Sequence, residues 1–205
     1  MRPVPRVRKA TCPPSGRQTE EAGTTSLGSD QTLLSRITSR GAQVVVLDDN
    51  TVDAAAVANL DAVVVSGRVA ASAISTRLNA TPVPIVVAKA WYMDDLGMTA
   101  GGTSQGTVST TTVTITNPAS PLAGGLTGAP TIFNVAAAAG YGTPSASGFT
   151  VATVGTRSAV WGYLPGARMS GTNVAAVGRV ALPFEGNDAN NIAPAGWTLF
   201  DTALD

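Results

Sequence analysis

The chain contains no histidine. That absence removes Ser-His-Asp triads, Cys-His dyads, imidazole acid-base catalysis and histidine metal sites from the chemistry available. A single cysteine, Cys12, excludes an intramolecular disulfide and leaves the redox compartment open. With no base beside it to lower its pKa, this thiol reads as incidental rather than nucleophilic. Lysine occurs only at Lys9 and Lys89, the other basic residues being arginine, a bias that a GC-rich coding sequence produces without functional cause. Charge is scarce, at 13% of residues, and 13 basic side chains balance 13 acidic ones. The net charge of zero provides no global field to draw in nucleic acid or an anionic membrane. No window approaches the roughly 18 to 20 apolar residues that span a bilayer. Met1–Lys9 is basic, yet Ala10–Gly23 lacks the apolar core of a secretion signal, so none is expected in the chain as given. No Walker loop or GxGxxG fingerprint follows an apolar run, and Gly101-Gly102 and Gly124-Gly125 read as loop glycines.

Hydrophobic residues make up 44% of the 205 positions, enough for one substantial core, and the length favours a single domain. Residues 1–24 stand apart. They hold Pro3, Pro5, Pro13 and Pro14, with Arg2, Arg6, Arg8, Lys9 and Arg17, and only scattered apolar side chains. Such a segment cannot bury enough surface to offset its ordering entropy and is expected to be a flexible arm. A basic tail gripping a partner is the sharper alternative, but no aromatics are interleaved for stacking on single-stranded nucleic acid. The α/β domain is expected over residues 25–205.

Within it, Leu33, Leu34 and Ile37 recur at helical spacing, with Ser29 or Asp30 placed to cap and Gly41 to stop a helix near 30–40. Three continuous β-branched runs follow: Val44–Leu47, Ala62–Val65 and Ile85–Ala88. Continuous rather than alternating runs suit strands covered on both faces of a parallel sheet. Helical stretches Ala54–Leu60 and Val69–Leu78 lie between them, giving a β-α-β-α-β order with right-handed crossovers. The segments ending these strands, Asp48-Asp49, Ser66-Gly67 and Lys89–Met93, would share the sheet's C-terminal edge, where open parallel sheets bind ligands. The second half differs: Thr107–Thr116, Thr131–Val135, Phe149–Val154, Ala159–Tyr163 and Val174–Phe184 are strand-like and punctuated by Gly and Pro. They predict antiparallel additions to the sheet. Trp197, Phe200 and Leu204 predict a closing amphipathic helix. No internal repeat is present.

Carboxylates are the remaining polar chemistry. Asp48 and Asp49 follow one run, Asp94 and Asp95 another, and Glu185 and Asp188 lie near the C-terminus. Two carboxylates a few ångströms apart hydrolyse glycosides or hold calcium, whereas acidic residues at loop mouths more often cap or are solvated. Trp91 and Tyr92 beside Asp94 fit a sugar-stacking platform or packing beneath a loop. The candidate ligand-edge cluster is therefore Asp48, Asp49, Lys89, Trp91, Asp94, Asp95, Glu185 and Asp188, with no metal, cofactor or catalytic residue assigned.

At Thr25-Ser26-Leu27-Gly28-Ser29-Asp30, Val46-Leu47-Asp48-Asp49 and Asp94-Asp95-Leu96-Gly97-Met98, the chain resembles the glutamine-amidotransferase-like superfamily, in its trehalose-utilisation-like (ThuA-like) branch. Further likeness lies in Asn117–Leu126 and in Gly178–Phe184 leading to Gly196–Asp201. The resemblance implies a Rossmann-like or flavodoxin-like, mostly parallel sheet with helices on both faces, often a module of exported or surface proteins in bacteria. Active amidotransferases carry an elbow cysteine, a histidine and a glutamate. Here the elbow matches Ala88-Lys89-Ala90 and histidine is absent, so glutaminase activity does not carry over. The resemblance thus implies a degenerate, non-catalytic accessory domain, with other domains of a larger protein or a glycan as partner; nucleic acid is not expected as a partner because the net charge is zero. It also implies a central apolar strand just before Thr25, which Thr11–Thr24 does not supply. Either the start of the chain is misassigned or truncated, or the Val44 and Val63 runs pair directly through a near-minimal crossover.

Overall fold

A computed structural model describes residues 28–186 and 188–205, leaving aside the side chain of Asp188. The expected 1–24 arm, Cys12 and Thr25-Ser26-Leu27 lie outside the described residues.

Helix α1 spans Asp30–Ser39 and buries Leu33. The expected cap does not form: Ser29 Oγ is buried and unpartnered, while Asp30 instead accepts a hydrogen bond from Ser66 Oγ. The helix ends as anticipated at Gly41, whose N–H donates to Thr38 O at 2.9 Å. Helix α2 (Ala54–Val57) is capped by Asp53, whose Oδ1 accepts from Ala56 N at 2.8 Å. Strand β1 (Val63–Val65) leads to α3 (Ala71–Ile74), a 3-10 turn over Ser75–Leu78, and then β2 (Ile85–Val87). The second half supplies β3 (Gln105–Thr110), β4 (Thr114–Ile115), β5 (Ala137–Gly142), β6 (Phe149–Val154), β7 (Arg157–Tyr163), β8 (Arg179–Ala181) and helix α4 (Pro194–Thr202).

The strands form one mixed, α/β-type sheet in the order β1-β2-β8-β7-β5-β3, with β6 pairing both β4 and β7. Parallel pairing joins β1 to β2 and β2 to β8, and every other pairing of named strands is antiparallel. The parallel part is thus three strands wide, and most of the ladder belongs to the antiparallel second half.

Two apolar clusters flank the parallel strands, because successive residues of a strand point to opposite faces. On one face Val64, Val86 and Ala88 pack with Leu33 and Ile37 of α1 and Leu199 and Phe200 of α4. On the other, Val63, Val65, Ile85 and Val87 meet Val57, Ile74 and Leu78. Both faces are covered, as continuous valine runs require. Helices α1 and α4 are joined by Arg36 to Asp201 and by Arg40 to Asp201 and Asp205, and the Arg36 guanidinium lies 5.5 Å from the centre of the Trp197 ring.

The first apolar run departs from expectation. Val44–Leu47 forms no strand, and its side chains are 37% to 63% exposed. A β-branched sequence becomes a strand only against a neighbour, and among the described residues the backbone of Gln43–Leu47 makes no hydrogen bond. Direct pairing of the Val44 and Val63 runs therefore does not occur. Thr131–Val135 likewise enters the sheet only through the single bridges Thr112 to Thr131 and Phe133 to Ile192.

Candidate functional site

The C-terminal ends of the parallel strands β1, β2 and β8 converge on a cluster built around Lys89 and Glu185. Register explains their meeting: Val87 lies opposite Ala181, so the residues after β2 and after β8 emerge at the same edge. Lys89 Nζ stands 2.6 Å from Glu185 Oε1 and donates to Gly67 O at 3.1 Å. The second carboxylate oxygen, Oε2, accepts from Ala90 N at 2.6 Å. The loop after β1 completes the clasp, with Gly67 bridging in parallel to Glu185 and Gly186 N donating to Gly67 O at 3.1 Å. Glycine is required at 67 by close approach: a Cβ there would lie 2.5 Å from Gly186 N and from Phe184 O, both backbone atoms.

The clasp is well shielded, the Lys89 and Glu185 side chains being 18% and 8% exposed. Withdrawing two charges from water is costly and is tolerated only when geometry and added hydrogen bonds compensate. Gly67 O on the cation and Ala90 N–H on the anion supply that compensation. The chemical consequence is restrictive. A nucleophilic lysine needs its neutral amine, whereas here the ammonium is held against a carboxylate. Each Glu185 oxygen already accepts one contact, Oε1 from the Lys89 ammonium and Oε2 from Ala90 N–H.

The other candidate residues are placed singly or in small capping groups. Asp48 Oδ1 accepts from Asn50 N at 2.8 Å and from Asn50 Nδ2 at 2.9 Å, and these bonds, the backbone one first, hold its carboxyl below the ordinary range. Asp49 Oδ2 accepts from Ala70 N at 2.7 Å, tying this turn to the start of α3. Asp94 exchanges bonds with Gln105, its Oδ1 accepting from Nε2 at 2.7 Å and its N–H donating to Oε1 at 3.1 Å. Burial, and then the charge of Asp94, raise the Asp95 carboxyl above its ordinary value. Trp91 is half exposed, while Tyr92 is fully buried with an unpartnered hydroxyl, and burial pushes that phenol well above its usual range. The two aromatics therefore do not form one platform. Asp188 begins a 3-10 turn, Asp188–Asn191, but its side chain lies outside the described residues.

Of the predicted edge residues, then, the structure brings Lys89 and Glu185 into contact and places Asp48 beside Asp49 and Asp94 beside Asp95. No hydrogen bond or ion pair joins these groups to one another among the described residues. No group of three or more His, Cys, Asp or Glu among the described residues could hold a metal ion. Sequence reasoning placed Gly67 at this edge without its close backbone approach, and it missed Gln105. Gly67 carried a signal, a glycine directly after an apolar run, whereas Gln105 carried none. It also missed Arg179, fully buried and donating to Thr81 O and Val83 O at 3.0 Å each, which ties the start of β8 to the segment entering β2. Desolvation lowers the pKa of that guanidinium.

Comparison with protein-family models, with characterised proteins and with solved structures finds no match.

Proposed function

We propose that this chain is a non-catalytic accessory or interaction domain, built on a flavodoxin-like scaffold of the glutamine-amidotransferase-like kind and belonging to a larger exported bacterial protein. The observation that carries this reading is the state of the elbow. The elbow after β2, Ala88-Lys89-Ala90, where the resemblance would put a nucleophile, carries Lys89, and its ammonium is paired with Glu185 in a shielded clasp. The clasp ties together the ends of β1, β2 and β8, so these residues serve the scaffold. The test is turnover: the purified chain is expected to release no ammonia from glutamine and no sugar from aryl glycosides above a buffer blank. Saturable hydrolysis of either substrate, lost in Lys89→Met or Glu185→Gln, would overturn the reading.

A second reading, a carbohydrate-binding face, is favoured by one observation, the half-exposed indole of Trp91 at the same sheet edge. Exposed aromatic rings stack on the apolar faces of sugars. Binding on a glycan array that disappears in Trp91→Ala would establish this second reading, and a blank array would remove it.

A further inference from the structure

We infer that the rim of the antiparallel half carries a binding groove for a small carboxylate with an apolar body, the anion held by Arg157 and the body lying on Val108 and Val154. The site is built from β3, β5 and the turn joining β6 to β7, and it does not involve the Lys89 clasp.

The arrangement starts from register. In the β3–β5 pairing Gly106 lies opposite Tyr141 and Val108 opposite Ala139, and Gly142 of β5 lies opposite Ser158 of β7. Side chains two apart on a strand share a face, so Val108, Tyr141 and Arg157 emerge on one side, with Tyr141 and Arg157 as diagonal neighbours. Ala139 and Ala159 of that face belong to the apolar core, and the three larger side chains stand at its rim. Glycine at 106 lets the Tyr141 ring lie across β3, since a Cβ there would come within 2.6 Å of Tyr141 Oη. The ring is thereby buried, and the Arg157 guanidinium covers it, 4.3 Å from the ring centre. An arginine stacked in this way is held in place with the edge of its planar fork of N–H donors still available.

No acid answers this charge locally. Residues 96–184 contain neither Asp nor Glu. None of the ion pairs among the described residues includes Arg157. Beside the guanidinium lies an open groove of about 320 Å³, lined by Val108, Val154, Gly155, Thr156 and Arg157. Small-molecule sites run from about 300 to 1,000 Å³, mostly apolar, with a few polar groups that fix orientation. The groove is at the small end of that range, with two valines for the apolar part of a guest and one cation to orient it.

The charge selects the class of guest. The guanidinium fork matches a carboxylate with two parallel hydrogen bonds. A single arginine balances the single charge of a carboxylate, whereas a phosphate monoester carries about −1.5 to −2 and would bring excess charge onto the valines. A purely polar acid would leave those valines in water, so the guest carries an apolar body next to its carboxylate.

The isotope-labelled full-length chain would be titrated with phenylbutyrate and with phenylbutyramide, its neutral counterpart, and followed by NMR. Saturable shifts of the Gly155 and Thr156 amides and of Arg157 Nε–H are expected with the acid. Binding of the amide should be weaker by about tenfold or more, because a charge-assisted contact is lost. Arg157→Met keeps an apolar cover on Tyr141, so it should melt like the parent while losing affinity for the acid by a similar factor. Val108→Glu, at an exposed strand position, should also weaken the acid by placing a competing carboxylate in the groove. Equal affinity for acid and amide, undiminished binding in Arg157→Met, or no saturable shift would overturn the inference. So would shifts that appear only in Glu20→Gln/Glu21→Gln, which would mean that the chain's own carboxylates fill the groove.

Discussion

Removing the charge of Lys89 should destabilise the fold much more than removing a surface ion. In Lys89→Met the Glu185 carboxylate, 8% exposed, keeps only the Ala90 N–H within its former clasp. Deleting one partner of a buried pair costs about 3 to 5 kcal/mol. The lower end applies here, about 3 kcal/mol, because Lys89 retains some exposure and the Ala90 bond survives. For a domain of this size 1 kcal/mol moves Tm by about 2 to 4 °C, so a drop of about 6 to 12 °C is expected. Glu185→Leu strands the ammonium and the Ala90 N–H together and should cost at least as much. The double variant Lys89→Met/Glu185→Leu removes both charges and leaves Ala90 N–H as the unpaired group, a penalty of about 1 to 3 kcal/mol. The cycle should therefore show a coupling of about 3 kcal/mol or more. Urea unfolding of the four proteins, with unchanged m-values as a check on two-state behaviour, measures it. Additivity of the single variants within about 0.5 kcal/mol would mean that the residues act independently, and the clasp would be refuted.

Gly67→Ala should destabilise by about 1 to 3 kcal/mol, since its Cβ meets backbone rather than a movable side chain, and thermal melts would show it. Val64→Asp places a carboxylate against Leu33 and Ile37 and should cost several kcal/mol, whereas Val45→Asp, on an exposed side chain, should leave Tm within about 2 °C. The Asp95 carboxyl is raised in the folded chain by burial and by Asp94, so the folded state binds its proton more tightly than the unfolded state. Its contribution favours folding at acid pH and is lost as pH rises through the raised value, so Asp95→Asn should gain stability relative to the parent as pH rises above the ordinary Asp value of about 3.9. Denaturant midpoints for the two proteins over that rise would show parallel curves if Asp95 were unperturbed.

Much of the first half was legible because its signals are local. Leu33 and Ile37 lie one turn apart and Gly41 ends the turn, and α1 follows from those positions alone. The Val63 and Ile85 runs are strands because each has a neighbour, and their continuity anticipated cover on both faces. Val44–Leu47 carries the same signal and is no strand, because a strand is a property of a pair. Ala137–Gly142 shows the converse: Ala-Ala-Ala-Gly-Tyr-Gly has no β-branched residue, yet it pairs with β3 along its whole length. Its small residues answer a packing demand. A Cβ on Gly140 would approach Ala90 Cβ to 3.3 Å, and one on Gly142 would run into the Trp161 ring. Local propensity cannot report a strand selected for the absence of side chains.

The clasp was half legible for the same reason. Lys89 and Glu185 could be picked out by type and by position after apolar runs, but their meeting depends on β8 lying beside β2, a choice made by the sheet and not by either segment. Once that register exists, the pairing follows. Two polar groups at adjacent strand ends, both shielded, must satisfy each other or leave charges unpaired. The same logic runs through the edge. Asp49 finds the open N–H at Ala70 and Asp94 finds the amide of Gln105, so carboxylates that looked available for chemistry are instead engaged by the nearest donors. What stands out to solvent near this end of the molecule includes the half-exposed Trp91 ring and the exposed valines of Val44–Leu47. Exposed apolar groups beside carboxylates already held by Ala70 and Gln105 suit a surface that another molecule covers, which is why binding is to be tested there beside turnover.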